Sequence, residues 1–131
     1  MSYKLFLDDV RNPEDCFGYV KAFGIRPDIY LGEWVIVRSF DEFRKYILKN
    51  GQPEIVSFDH DLADEHYDDS MYDKKGNYNE LYGKFREKTG YDSAKWFIHY
   101  CKEVGFDLPV CICHSMNPVG RDNINSLFRG I

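Results

Sequence analysis

Acidic and histidine side chains follow three short apolar runs of this chain. Asp8 and Asp9 follow KLFL, the triplet DHD at 59–61 follows IVSF, and His114 follows VCIC. The apolar runs are typical of buried strands, so each polar group lies where a strand leaves the sheet. Carboxylates gathered at one rim repel one another unless a cation lies between them. A divalent metal, or a phosphate held through one, would remove that repulsion, and the pattern therefore predicts a phosphate-handling enzyme.

The aspartates at these strand ends are the candidate metal ligands. Mg²⁺ binds one or two carboxylates, keeps several waters and accepts phosphate oxygens, which matches the residue types available here. An aspartate directly after a strand can also cap a turn or a helix, and this alternative stays open for the first pair. The predicted ligands are Asp8, Asp9, Asp59 and Asp61.

Two histidines are the candidate acid and base. His60 lies inside the DHD triplet, and His114 follows the last apolar run. An imidazole titrates near neutral pH and can take or give a proton during hydrolysis. The alternative for His60 is a structural histidine with satisfied hydrogen bonds.

Donors for a phosphate are predicted around the same rim. Arg11 could hold a phosphate through two guanidinium N–H groups, or could pair with a nearby acid. Ser115, Asn117 and Gly120 lie where the last strand turns into a helix, whose N–H groups suit an oxyanion. Serine and asparagine are also ordinary turn residues. A nucleophilic Ser115 with His114 as its base is disfavoured, because adjacent residues at a strand end rarely point at each other.

The apolar periodicity predicts alternating strands and helices. Strands are expected at 5–7, 34–37, 55–58 and 110–113. A helix after Ser39 is expected to end at Gly51, a second to run over about 92–104, and a third to carry Ile124, Leu127 and Phe128. The segment Asn12-Pro13-Glu14-Asp15 is typical of a helix start. This βαβαβα order predicts an α/β fold with a parallel sheet.

Composition narrows the classes of function. The 131 residues suit one domain, 1–131, and the net charge of −5 without a dense basic run argues against duplex DNA as the main ligand. No apolar segment is long enough for a membrane span, so a cytoplasmic protein is expected, in the host cytoplasm if a virus encodes it. The four cysteines are then expected to be reduced thiols. Zinc binding by Cys111, Cys113 and His114 is disfavoured, because no second Cys/His pair completes the site.

Two segments interrupt the regular pattern. They are predicted insertions at about 14–33 and 63–89. The second is long and polar, rich in Asp, Tyr, Lys and Asn, and follows the DHD triplet directly. It is either a solvated surface loop or a lid that selects the substrate.

Five stretches together resemble one family. They are LFLDDVRNP at 5–13, WVIVRSFDEF at 34–43, IVSFDHDL at 55–62, GYDSAKWF at 90–97 and VCICHSMNPVGRDNI at 110–124. The combination of DDxR, DHDL and HSxNPVG resembles the cyclic-phosphate processing receiver domains, relatives of the response-regulator receivers. The resemblance implies a three-layer, receiver-like (flavodoxin-like) sandwich with a mainly parallel sheet of four to five strands.

The same resemblance implies an activity on cyclic phosphates, assisted by Mg²⁺ or Mn²⁺. The expected partner is a cyclic nucleotide or an RNA end that carries a 2′,3′-cyclic phosphate. One alternative is a binding module that sequesters a cyclic nucleotide without cleaving it. Another is a phosphorelay receiver with Asp59 as phosphoacceptor, disfavoured because no lysine follows Lys102, where receivers carry one. The oligomeric state is left open.

Overall fold

Four short parallel strands form the centre of the fold. A computed structural model describes residues 2–62 and 89–129. The strands are β1 (Lys4–Leu7), β2 (Val35–Val37), β3 (Ile55–Phe58) and β4 (Val110–Cys113). They pair in the order β2-β1-β3-β4, and every pair is parallel. The predicted α/β fold with a parallel sheet is confirmed.

Helical segments connect these strands. They are α1 (Pro13–Cys16), two 3₁₀ helices (Val20–Phe23 and Pro27–Tyr30), α2 (Phe40–Asn50), α3 (Gly90–Val104) and α4 (Pro118–Arg129). The segment that was predicted to start a helix at Asn12 forms only the single turn α1.

Local capping explains where the two middle helices begin. The Ser39 side chain accepts a hydrogen bond from the backbone N–H of Glu42 at 3.2 Å, which satisfies one free donor of α2. Gly51 then ends α2 with a φ of 85°, a left-handed value that favours glycine. α3 begins two residues before the predicted position, because Thr89 and Asp92 form a capping box there.

The sheet has a distinct apolar cluster on each face. Leu5 and Leu7 point to one face and Phe6 to the other, as the two-residue period of a strand requires. The first face packs against α2, α3 and α4, through Phe43, Phe97 and Ile124 among others. The second face packs against the connection between β1 and β2, through Cys16, Val20 and Tyr30. Layers on both faces match the receiver-like sandwich.

The first predicted insertion is a packed part of the fold. Residues 14–33 contain most of α1 and both 3₁₀ helices, and Cys16, Val20 and Tyr30 from this segment are buried against the sheet. The second predicted insertion, 63–89, either a surface loop or a lid, lies outside the described residues except for Thr89. Within the described part of the chain, no helix combines the length and the apolar character that a membrane crossing needs.

Candidate metal and phosphate site

The sheet order brings three strand ends side by side. β3 lies between β1 and β4, so Asp8, Asp59 and His114 leave neighbouring strands at the same rim. The Asp59 N–H donates to the carbonyl of Leu7 at 2.8 Å, and the His114 N–H donates to the carbonyl of Phe58 at 3.0 Å. These bonds extend the sheet ladder by one residue and hold the three backbones in register.

Asp8, Asp59 and His114 form one buried cluster. Their exposed fractions are 0%, 1% and 0%. One potential ligand atom from each lies within 4.8 Å of the other two. The structure therefore brings together two predicted metal ligands and one predicted acid or base. The DD pair, the DHD triplet and the HS motif each contribute one residue to this cluster.

Asp8 is held by donors on both of its carboxylate oxygens. Oδ1 accepts from the backbone N–H groups of Val10 at 2.9 Å and Arg11 at 2.7 Å. Oδ2 lies 2.9 Å from His114 Nε2. Burial alone would raise the pKa of Asp8, but the hydrogen bonds from His114 and from these backbone donors outweigh it, and the pKa is lowered. Asp8 is therefore a carboxylate at neutral pH.

The His114 ring is fixed on several sides. Its Nδ1 lies 2.7 Å from Ser57 Oγ, which in turn lies 2.8 Å from the hydroxyl of Tyr30. The Phe6 ring stacks on the imidazole, with centroids 4.4 Å apart and planes inclined by 8°. Burial lowers the pKa of His114 more than the hydrogen bond with Asp8 raises it. The ring is therefore neutral near pH 7 and its position is set by its neighbours.

Asp59 contributes the second carboxylate of the cluster. Its Oδ2 is buried and has no hydrogen-bond partner within residues 2–62 and 89–129. Burial, followed by the charges of Asp8 and Asp61, raises the pKa of Asp59 well above its usual range. A buried polar atom without a partner costs about 1–3 kcal/mol. A cation would provide the missing partner and offset the repulsion, so these residues fit a divalent metal.

A second polar group lies beside this cluster. His60 is fully buried, and its Nδ1 lies 2.9 Å from Asp61 Oδ1. The Asn117 amide donates to Asp61 Oδ2 at 3.2 Å, and its Oδ1 accepts from the Gly120 N–H at 3.1 Å. A Cβ on Gly120 would lie 2.3 Å from Cγ of His60. This second group therefore connects His60 to the start of α4, through Asp61, Asn117 and Gly120.

The remaining predicted residues have different surroundings. Asp9 is half-buried and does not belong to the donor cluster. Arg11 Nη1 lies 3.8 Å from Asp8 Oδ2, and 27% of the Arg11 side chain is exposed. This places a guanidinium at the edge of the cluster, next to solvent. The Ser115 hydroxyl accepts from the Asn117 N–H at 3.1 Å, as expected for a turn serine.

Several residues that shape the site were not predicted from the sequence. Ser57 and Tyr30 support His114, and Arg38 donates to the carbonyls of Asp8 and Arg11. The signal for Ser57 was available, because a hydroxyl interrupts the apolar run of β3. Tyr30 gave no such signal, because it lies in an irregular segment 27 residues away from Ser57.

The two cysteines of β4, for which zinc binding was disfavoured from the sequence, are protonated thiols in the structure. Burial raises the pKa of the Cys111 and Cys113 thiols to about 12. A metal-binding cysteine has to be a thiolate, which such values disfavour. Within the described residues, the donor group that contains His114 includes neither sulfur.

The comparison with protein families agrees with this architecture. No curated protein and no solved structure matches the chain. The family model described as the cyclic-phosphate processing receiver domain matches residues 3–130 and so spans the sheet, the helices and the cluster. The chain belongs to the family of cyclic-phosphate processing receiver domains.

Proposed function

We propose that this chain is a metal-dependent phosphoesterase that opens cyclic phosphates, on cyclic nucleotides or at RNA ends with a 2′,3′-cyclic phosphate. Membership of the family supports the class of substrate. The observation that carries the catalytic part is the buried Asp59 Oδ2, which has no hydrogen-bond partner among residues 2–62 and 89–129 and belongs to a carboxylate clustered with Asp8 and His114. Two buried carboxylates with one oxygen unsatisfied are the arrangement that a cation stabilises.

Asp8, Asp59 and His114 are the residues that would hold the ion. The two carboxylates suit the hard cations Mg²⁺ and Mn²⁺. Most Mg²⁺ sites consist of oxygen ligands, whereas this site would include one imidazole nitrogen. Both Mg²⁺ and Mn²⁺ should therefore be tested. A divalent ion here supplies positive charge that polarises a phosphate oxygen.

Arg11 is the proposed phosphate-binding residue. Its guanidinium lies at the exposed edge of the cluster, and the Tyr19 ring centre is 5.8 Å from its central carbon. Met116 Sδ lies 3.4 Å from Arg11 Nη2. A planar guanidinium held in this way can bind two phosphate oxygens at once. It would offset the negative charge that develops at phosphorus during cleavage.

His60 is proposed to position the site and not to transfer a proton. An acid or base has to reach the reacting group, whereas the His60 ring packs beneath Gly120, bonds to Asp61 and lies outside the donor group of the cluster. Its bond with Asp61, and the bonds of Asn117 to Asp61 and Gly120, fix the beginning of α4. The segment from His114 to Asn117 is thereby held against the cluster.

A product assay tests the proposed function. The protein would be incubated with 2′,3′-cyclic nucleotides, 3′,5′-cyclic nucleotides and RNA with a cyclic-phosphate end, and the products identified by mass. We expect many turnovers on one class of substrate, a gain of one water in the product, and loss of activity in Asp59→Asn. Asp9→Asn is the matched control, because Asp9 lies on the same rim outside the cluster and should retain activity.

Other outcomes would point to other functions. Intact ligand bound at one per chain would contradict hydrolysis and favour a sequestering module. Stable phosphorylation of Asp59 by acetyl phosphate, without cleavage of any cyclic phosphate, would instead favour a phosphorelay receiver.

A further inference from the structure

Four buried side chains form a continuous hydrogen-bonded row that ends in the cluster. The Tyr30 hydroxyl lies 2.8 Å from Ser57 Oγ, Ser57 Oγ lies 2.7 Å from His114 Nδ1, and His114 Nε2 lies 2.9 Å from Asp8 Oδ2. Tyr30 is 3% exposed, and the other three have no exposed surface. The row crosses from the face covered by residues 13–30 to the strand rim.

The protons of this row have two consistent arrangements. A neutral imidazole carries one proton, and each hydroxyl can both donate and accept. With the proton on Nε2, His114 donates to Asp8, Ser57 donates to Nδ1, and Tyr30 donates to Ser57. With the proton on Nδ1, His114 donates to Ser57, Ser57 donates to Tyr30, and Nε2 presents a lone pair to the cluster. The heavy atoms need not move between the two.

We propose that Ser57 and Tyr30 are positioning residues, which allow His114 to exchange between a tautomer bonded to Asp8 and a tautomer that presents Nε2 to a divalent cation. The second tautomer deepens the proposed function and rests on its metal site. A metal-binding histidine usually donates its other ring N–H to a fixed acceptor, which sets the tautomer and the ring orientation. Ser57, backed by Tyr30, is that acceptor here.

The packing around the His114 ring allows the tautomer to change only by movement of protons, without rotation of the ring. Phe6 stacks on one face of the imidazole, and the Tyr30 ring meets it at 88° with centroids 6.4 Å apart. Ser57 is held in the middle of β3, where it pairs with Phe6 of β1 and Ile112 of β4. A rotation of the imidazole would break these contacts. In the exchange, the Nε2 proton leaves to solvent, the Ser57 proton passes to Nδ1, the Tyr30 proton passes to Ser57, and Tyr30 takes one proton from solvent, so the charges are unchanged and the ring stays in place.

The same groups could be mistaken for a catalytic Ser-His-Asp triad. A nucleophile has to reach the phosphorus, and Ser57 is fully buried with its hydroxyl between Tyr30 and His114. The hydroxyl therefore acts on the imidazole and not on a substrate.

Nitrogen-15 NMR of the His114 ring and Mg²⁺ titration together test the proposal. In EDTA-treated wild type, we expect the Nε2-protonated pattern, and added Mg²⁺ should move the proton to Nδ1. Ser57→Ala should weaken Mg²⁺ binding by about 10- to 100-fold, as losses of outer partners of metal ligands do. Tyr30→Phe, which is nearly isosteric, should weaken it by a smaller factor. Ser93→Ala is the matched control, because this buried hydroxyl donates to the backbone carbonyl of Thr89.

Two results would contradict the roles of Ser57, Tyr30 and the cation. Unchanged Mg²⁺ affinity and an unchanged tautomer response in both Ser57→Ala and Tyr30→Phe would refute the positioning role, whatever happens to stability. Failure of Mg²⁺ and Mn²⁺ to bind wild type would refute the proposed metal site and the cation-facing tautomer. The EDTA arm still tests the row in that case. In EDTA, the nitrogen-15 resonance of His114 Nδ1 should move downfield in Ser57→Ala, because the Ser57 hydroxyl no longer donates to it. No movement would refute the hydrogen bond between Ser57 and His114.

Discussion

Gly90 lies directly against the backbone of Asp59. A Cβ at Gly90 would be 1.6 Å from the Asp59 carbonyl oxygen and 3.0 Å from the Cα of His60. The Gly90 N–H also donates to the carbonyl of His60 at 2.8 Å. The first turn of α3 therefore supports the strand end that carries Asp59, and only a residue without a side chain allows this approach.

Gly90→Ala should damage both the fold and the cluster. The clash is with backbone, which cannot rotate away, so α3 or the strand end has to shift. We expect a loss of about 1–3 kcal/mol in the free energy of unfolding, the usual cost of forcing atoms into a packed core. Denaturant unfolding measures this loss, and Gly18→Ala is the control, because its Cβ would meet nothing within 4 Å. Equal stability of the two variants would contradict the described contact.

Asp59→Asn should stabilise the metal-free protein while abolishing metal binding. Burial and the charges of Asp8 and Asp61 disfavour the Asp59 carboxylate, and an amide carries no charge. We expect a gain of about 1–2 kcal/mol in EDTA, in the range of removing an unfavourable active-site group. Thermal unfolding with EDTA and with Mn²⁺ measures both effects. A metal-induced rise in Tm that survives in Asp59→Asn would exclude Asp59 as a ligand.

The pH dependence follows from the raised pKa of Asp59. Because the folded state binds this proton more tightly than the unfolded chain, its stabilising contribution is full below the usual aspartate pKa. It is lost as the pH rises through the folded pKa. The stability gap between Asp59→Asn and wild type in EDTA should therefore widen as the pH rises. A gap that narrows with rising pH would have the wrong sign.

Metal affinity should rise with pH, whereas the contribution of Asp59 to stability falls. A cation competes with the Asp59 proton, so the affinity of wild type for Mn²⁺ should rise by up to about tenfold per pH unit below the folded pKa of Asp59 and level off above it. His114 does not add to this competition near neutral pH, because its own pKa is lowered. Calorimetric titration at several pH values measures the slope. An affinity independent of pH would mean that no protonated group is displaced.

Asn117 variants separate helix capping from substrate binding. Asn117→Ala removes the bonds to Gly120 and Asp61 and should cost about 0.5–2 kcal/mol, the usual value of a helix cap. Asn117→Ser keeps a capping oxygen but has no amide to donate to Asp61, so its stability should lie between those of Ala and wild type. Unfolding gives the stability and steady-state kinetics gives KM. A large rise in KM with unchanged stability would instead support the predicted role in substrate binding.

Arg11 variants test the proposed phosphate contact. Arg11→Ala should raise KM for the cyclic phosphate by about tenfold or more, since hydrogen bonds to charged groups contribute about 1.5–3 kcal/mol. Arg11→Lys keeps the charge but loses the paired N–H geometry, and it should fall between Ala and wild type. Arg26→Ala is the control, because its guanidinium is largely exposed and pairs with Asp28. Similar kinetics for Arg11→Ala and the control would remove Arg11 from the site.

The sheet and the meeting of Asp8 with Asp59 could be predicted from the sequence. Continuous apolar runs of three or four residues identify the buried strands, and parallel strands expose their carboxyl ends at one rim. The choice between adjacent acids could not be made in this way. Asp8 and Asp9 differ in how far they are buried, and this depends on the turn that follows β1 and on Arg38, which donates to the carbonyl of Asp8.

The partners of the two histidines were also beyond prediction. Tyr30 reaches Ser57 through a connection built of short 3₁₀ turns, which carries no helical or strand periodicity. His60 and His114 look alike in sequence, since each follows a buried strand. Only the packing of α4 separates them, because Gly120 covers His60, whereas His114 lies with Asp8 and Asp59.

Restoration of activity by added metal would test directly whether this chain is a metal-dependent phosphoesterase. Protein stripped with EDTA and then dialysed would receive Mn²⁺ in steps, and the opening of the preferred cyclic phosphate would be followed by phosphorus-31 NMR. We expect no cleavage by the stripped protein and a rate that rises to saturation with Mn²⁺, over many turnovers per chain. Cleavage at the same rate without metal, or intact substrate at every Mn²⁺ concentration, would contradict a metal-dependent phosphoesterase.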